Sequence, residues 1–206
     1  MMTKKSKLSL PLCSVVAVLS LLLFGNAIAG NAGDGKKMNV DNSTFHCITD
    51  MTPVKHFYVD NLQGNLKETV AVAKSEKGGI YPTGSVVQLV PGEVMVKHGP
   101  GYNPATHDWE YVELDVSKDG SSIRKRGFVD VINRFGGNCF ACHAKAKPEF
   151  DSVCETGHGC DAIPLTRPMI HAIQNSDPRC KLHQLTDEDM KALKQLEAFQ
   201  RAAAAK

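Results

Sequence analysis

Residues 85–99 read "SVVQLVPGEVMVKHG". Two β-branched runs, 85–90 and 92–99, flank Pro91-Gly92, a pair that marks a tight turn between strands. The same pattern continues outward. "DWEYVELDVS" (108–117) is aromatic and β-branched, Asp119-Gly120 supplies another turn, and "SSIRKRGFVDV" follows as a further strand. Upstream, "KHFYVD" (55–60) has strand composition. Short strands joined in sequence order predict an antiparallel meander.

Helical periods lie at its borders. "NLQGNLKETVAVAKS" (61–75) puts Leu62, Leu66, Val70 and Ala73 on one face, with Gly64 as a weak point. "LTRPMIHAIQNS" (165–176) carries Pro168 in a first turn. "TDEDMKALKQLEAFQRAAAAK" has Thr186 as cap, acids in its first turn, and Leu193, Leu196 and Phe199 as a modest apolar face. "PEFDSVCE" is read as a returning strand. The fold class is α+β, an antiparallel sheet with flanking helices in a single domain.

The N-terminus reads as a secretory signal. Lys4, Lys5 and Lys7 precede the apolar run "LSLPLCSVVAVLSLLLF", and Ala27 and Ala29 form a small-x-small cleavage pattern. The expectation is a signal peptide over 1–29 and a periplasmic mature chain. Residues 30–44 read as a flexible lead-in, 45–183 as the domain, and 184–206 as a C-terminal helix. Removing the three lysines takes the formal charge from +2 to −1. A near-neutral secreted chain gives no argument for nucleic-acid binding.

Cys47, Cys139, Cys142, Cys154, Cys160 and Cys180 remain after the signal. Free thiols rarely persist outside the cytoplasm. The expected pairs are Cys154 with Cys160, a small loop that is cheap to close, and Cys47 with Cys180. Four cysteines allow three connectivities.

"CFACH" then stands apart, with Cys139, Cys142 and His143. Three chemistries use such a run. In haem c attachment, two thiols form thioethers with the haem vinyls and the adjacent imidazole ligates iron. A redox dithiol needs a βαβ context, which does not precede the motif here. A zinc site would join Cys139 and Cys142 to His158 and Cys160. The neighbouring histidine and the signal peptide favour haem.

The order of a "YVD" strand, a helix, "YPTGSVV", "DWEYVELD", "CFACH" and "FDSVCE" resembles the cytochrome P-460 family, which includes the cytochromes c′-beta, over residues 50–155. The resemblance implies a strongly curved antiparallel sheet with helices, a homodimer, and one covalent haem c with a proximal histidine and an open distal face. Cys139 and Cys142 match the thioether positions and His143 the proximal ligand. Cytochromes P-460 oxidise hydroxylamine and join a lysine to the haem. Cytochromes c′-beta lack that link and bind nitric oxide in an apolar pocket. Aligning "YPTGSVVQL" to the lysine pattern places Leu89 there; aligning "GEVMVKH" places Lys97 there, the cross-link candidate. "CETGHGC", the four additional cysteines and the C-terminal helix depart from the family pattern.

The implied function is binding or oxidation of a small nitrogenous ligand, nitric oxide or hydroxylamine, with electrons passed to a partner cytochrome. A hydroxylamine-type oxidoreductase and a nitric oxide binder both fit. The alternative is a six-coordinate electron-transfer cytochrome with Met169, or a histidine, as second axial ligand. His98, His107, His171, His183 and Met190 complete the candidates for that position. Trp109 and Phe140 are expected to pack near the haem, and Glu93, Glu110 and Glu113 are candidates for a proton relay.

Overall fold

The structure, a computed structural model, describes residues 37–181 and 185–204. The expected signal peptide and His183 lie outside the described residues. Six strands form one open antiparallel sheet in sequence order: β1 (Thr52–Val54), β2 (Phe57–Asn61), β3 (Ser85–Val90), β4 (Glu93–Lys97), β5 (Trp109–Ser117) and β6 (Gly120–Gly127). Four helices accompany them: α1 (Leu66–Lys74), α2 (Cys139–His143), α3 (Arg167–Asn175) and α4 (Asp187–Ala204). The α+β class read from the sequence is the class observed.

Turn chemistry sets the register. Val90 pairs with Glu93 across the two-residue loop Pro91-Gly92. The buried Gln88 amide donates to the Pro91 carbonyl (2.8 Å) and closes that turn from inside. A further hairpin, β1–β2, stands where the sequence reading placed a single strand over 55–60. Lys55 adopts φ 55°, which lets Val54 pair with Phe57. β1 escaped the sequence reading because its three residues include Pro53, tolerated only at a sheet edge. Conversely, "PEFDSVCE" is not a strand. It forms a helical turn at Pro148–Phe150, and Asp151 and Ser152 follow at φ 48° and 63°, values no strand permits.

Alternation divides the residues between two faces. On one, Val86, Val94, Val96, Val112 and Leu114 form a core with Val40 and Phe45. On the other, Val59, Val87, Met95, Trp109 and Tyr111 form a second core with Val54, Phe57, Tyr81, Val131 and Val153, and Cys139 and Phe140 pack against it. α1 lies over β1 and β2. It starts at Leu66 rather than near residue 61, because Gly64 takes φ 81° and the Asn61 side chain accepts from the Gln63 and Asn65 amides instead (2.8 and 3.1 Å). Leu62 is consequently exposed.

The lead-in expectation fails over residues 37–44. The Met38 amide donates to His98 Nδ1 (2.8 Å), the Val40 carbonyl accepts from Arg126 (2.7 Å), and Asn42 accepts from the Ile123 amide (2.8 Å). Asp41 and Thr44 build a capping box around a helical turn. Polar composition hid two apolar anchors, Met38 and Val40, that close the Val86–Leu114 face, opposite the one against which Cys139 packs.

Both disulfides join the expected partners, Cys47 to Cys180 and Cys154 to Cys160. α4 begins as read. Thr186 Oγ1 accepts from the Asp189 amide, and Asp189 accepts from the Thr186 amide (both 3.1 Å). It packs on α3.

Candidate functional site

With the other four paired, Cys139 and Cys142 are the free thiols among the described residues. α2 places them one turn apart on one short helix. Asn138 caps it, accepting from the Ala141 amide (2.7 Å), worth about 1 kcal/mol. The Cys139 amide donates to the carbonyl of the fully buried Val131 (3.0 Å), which ties the motif to the core.

The preceding loop is clamped from the sheet. Glu93 and Glu113 face one another across β4 and β5. Glu93 accepts from Asn133 Nδ2 (3.1 Å), and Glu113 from the Arg134 amide (2.5 Å) while it also pairs with Arg124. Two of the three relay candidates therefore hold the entry to α2. The third, Glu110, lies on the opposite face between His98 and Arg126. Burial pushes Glu93 above the ordinary carboxylate range, against the Asn133 hydrogen bond and the Arg134 charge.

His143 is oriented with a defined tautomer. Its Nδ1 lies 2.8 Å from the Ser152 carbonyl, which can only accept. Nδ1 therefore carries the proton, and Nε2 keeps a lone pair for a metal. Burial lowers the imidazole pKa, against the Ser152 carbonyl, and favours this neutral form.

The Ser152 carbonyl is itself held. Its left-handed turn with Asp151 costs strain that the surroundings must offset. The Lys97 ammonium donates to both Asp151 oxygens (2.8 Å each) and to the His107 carbonyl (2.5 Å). The Tyr81 amide donates to Asp151 Oδ2 (2.9 Å), and Trp109 Nε1–H to the Asp151 carbonyl (2.7 Å). The ammonium also lies 5.1 Å above the Trp109 ring. Lys97 thus faces the motif side of the sheet, but as a buried strut whose amine is fully engaged. Burial raises Asp151, and the Lys97 charge works against that rise.

The remaining candidates are dispersed. His98 accepts from Met38 through Nδ1 and bonds Glu110 through Nε2 (2.9 Å), so both ring nitrogens are used on the far face. His171 pairs with Asp189 at the α3–α4 contact (3.1 Å). Met169 is half-buried on α3, which packs on β3 and α4, and Met190 is exposed. His107 alone approaches the motif's supports, with Nδ1 3.2 Å from Ser152 Oγ. Trp109 is fully buried, and Phe140 is half-buried against the same core.

The zinc set does not assemble. Cys160 is bonded to Cys154, and His158 stacks on Phe150 (3.6 Å, 4°) while its Nδ1–H donates to the Val153 carbonyl (2.8 Å). Among the described residues no group of three or more metal-ligating side chains gathers. Nor are the thiols activated. Burial pushes Cys139 up to about 11, and Cys142 upward as well, whereas a working dithiol needs a depressed value.

The residues present fit a haem c. Two thiols stand at the required spacing, an imidazole offers Nε2, and Val129, Ile132 and Phe135 present exposed apolar side chains in the loop before the motif. Concavities of about 430 Å³ along α4 and about 300 Å³ beside the Cys47–Cys180 bridge involve none of these residues. Tyr111, absent from the sequence-derived candidates, lies with its ring 5.3 Å from that of His143. A search for known relatives returned none: no family model, curated protein or solved structure matches the chain.

Proposed function

We propose that the chain is a mono-haem c-type cytochrome with thioethers at Cys139 and Cys142 and His143 as proximal ligand, working on small nitrogenous ligands such as nitric oxide or hydroxylamine. The observation that carries the proposal is the pairing of four cysteines elsewhere, which leaves two thiols beside a histidine whose Nδ1–H is already taken by a carbonyl. Haem supplies the redox and ligand-binding chemistry. The chain's own residues orient one imidazole, keep it neutral, and hold the motif helix against the core.

An open sixth position is supported by the engagement of His98 with Glu110 and of His171 with Asp189. Binding of nitric oxide is the reading favoured over a cross-linked oxidase, because Lys97 is committed to Asp151. The periplasm, a partner cytochrome and a homodimer belong to the same proposal and rest on the family resemblance and the N-terminal pattern.

The test is the visible spectrum of the purified secreted chain, with and without nitric oxide. A covalently retained haem whose ferrous spectrum is high-spin and changes with nitric oxide is the expected result. A chain matured alongside haem-attachment machinery that carries no covalent haem refutes the proposal. A low-spin spectrum indifferent to nitric oxide, and altered by Met169→Ala, selects the electron carrier instead.

A further inference from the structure

Tyr111, the third residue of β5, is 2% exposed. Its hydroxyl has no hydrogen-bond partner. The other buried side-chain atoms in that condition among the described residues belong to His56, Glu113 and Glu155, and each sits in an ion pair: His56 with Glu155 (2.8 Å) and Glu113 with Arg124. Tyr111 has no such recourse. Burying a phenol O–H without an acceptor is costly, and Phe would fill the same space without that cost.

The location gives the orphan a meaning. The Tyr111 ring meets the His143 ring at 5.3 Å and 47°, and Cys139 packs against the core cluster to which Tyr111 belongs. Neither thiol accepts its proton, and His143 Nδ1 is occupied by Ser152. Across the sheet on this face stands Met95, which offers only a weak acceptor. The missing acceptor must arrive with whatever the motif holds.

We propose that Tyr111 donates a hydrogen bond to the group attached at Cys139, Cys142 and His143, and thereby helps to set its reduction potential. This rests on the haem c reading. A donor beside the group stabilises its electron-rich, reduced form, so Tyr111 raises the potential. It also accounts for a tyrosine at a position where the chain alone gains nothing from its oxygen.

Tyr111→Phe tests this in two forms of the full mature chain: with haem attached, and as the thiol-free double variant Cys139→Ala/Cys142→Ala. In the attached form the potential should fall by the equivalent of roughly tenfold in the redox equilibrium, about 59 mV for one electron. In the thiol-free form the same substitution should raise the folded-to-unfolded ratio by roughly tenfold, because an unsatisfied hydroxyl is removed. The attached form should show no such gain. A potential shift below threefold overturns the inference, as does an equal stability gain in both forms, which would mean the hydroxyl meets water or nothing. Failure of the haem c reading itself is recognised separately, by absence of covalent haem in the purified chain before any potential is read.

Discussion

Lys97→Met is the substitution that weighs the strut behind His143. The ammonium and the Asp151 carboxylate are both buried, with side chains 7% and 1% exposed. Met has nearly the same length and keeps the contact with Trp109, so packing changes little. What is lost is three hydrogen bonds, two to Asp151 and one to the His107 carbonyl. Asp151 is left with the Tyr81 amide at 2.9 Å and His107 at 3.9 Å. Removing one member of a buried pair leaves the other charge uncompensated, which costs about 3–5 kcal/mol. Against a typical domain stability of about 5–15 kcal/mol, that is a large fraction. Urea unfolding followed by far-ultraviolet circular dichroism would read the change as a lower midpoint at constant slope. Adding Asp151→Asn should recover part of the loss, because the stranded charge is gone. A change below about 1 kcal/mol for Lys97→Met would refute the reasoning, since an exposed pair behaves that way. Restoration of nothing by the second substitution would show that the cost came from packing.

The two disulfides should differ in the order of their loop lengths. Replacing Cys47 and Cys180 by Ala opens a separation of 133 residues and should cost about 5 kcal/mol. Replacing Cys154 and Cys160 opens a separation of 6 and should cost about 2 kcal/mol; thermal or urea unfolding of the two variants gives the ranking. Acid should weaken the fold through Glu110. Burial raises its pKa, but hydrogen bonds from His98 and Arg126 and the Arg126 charge prevail, so the native value lies below the ordinary one. The unfolded chain then binds more protons in that window, so the contribution is whole above about pH 4.3 and lost as pH falls through the native value. Melting temperatures from pH 7 to 3 should show it, and Glu110→Gln should flatten the acid limb. Gly78→Ala should strongly destabilise the chain, because a Cβ would collide with the Glu149 carbonyl at a residue whose φ is +74°; wild-type stability in that variant would contradict the packing of this turn against the segment after the motif.

The β3–β4 and β5–β6 hairpins were legible because each carries its own local turn signal. Pro91-Gly92 between β-branched runs specifies β3 and β4 without reference to anything distant. Pro168 in the first turn of α3 and the Thr186 cap of α4 did the same. The misreadings occurred where a distant contact outranks local composition. Residues 37–44 look like a tail until Val40 meets Val94 and Val112 across the sheet. "FDSV" has strand composition, yet Asp151 is needed by Lys97, Tyr81 and Trp109, and that demand turns the chain left-handed.

The site divides along the same line. Cys139, Cys142 and His143 announce themselves because the chemistry needs them adjacent in sequence. Their supports cannot, since Ser152, Asp151, Lys97 and Tyr111 reach the motif only through the fold. One part of this was nevertheless within reach of the sequence. Period-two alternation in β4 puts Glu93, Met95 and Lys97 on one face, and in β5 it puts Trp109, Tyr111 and Glu113 on one face. An apolar run does not interrupt itself with Lys97 and Glu93 on its inward side without partners to meet them. The same inward file contains Tyr111, whose oxygen would have prompted the question of its acceptor. What no alternation supplies is which loop covers that face, and here the covering loop is the one that carries the two free thiols. A sheet face that buries a lysine, a glutamate and a phenol beneath a thiol-bearing helix is built to do more than pack, and Tyr111 is the residue on it whose partner the chain does not itself provide.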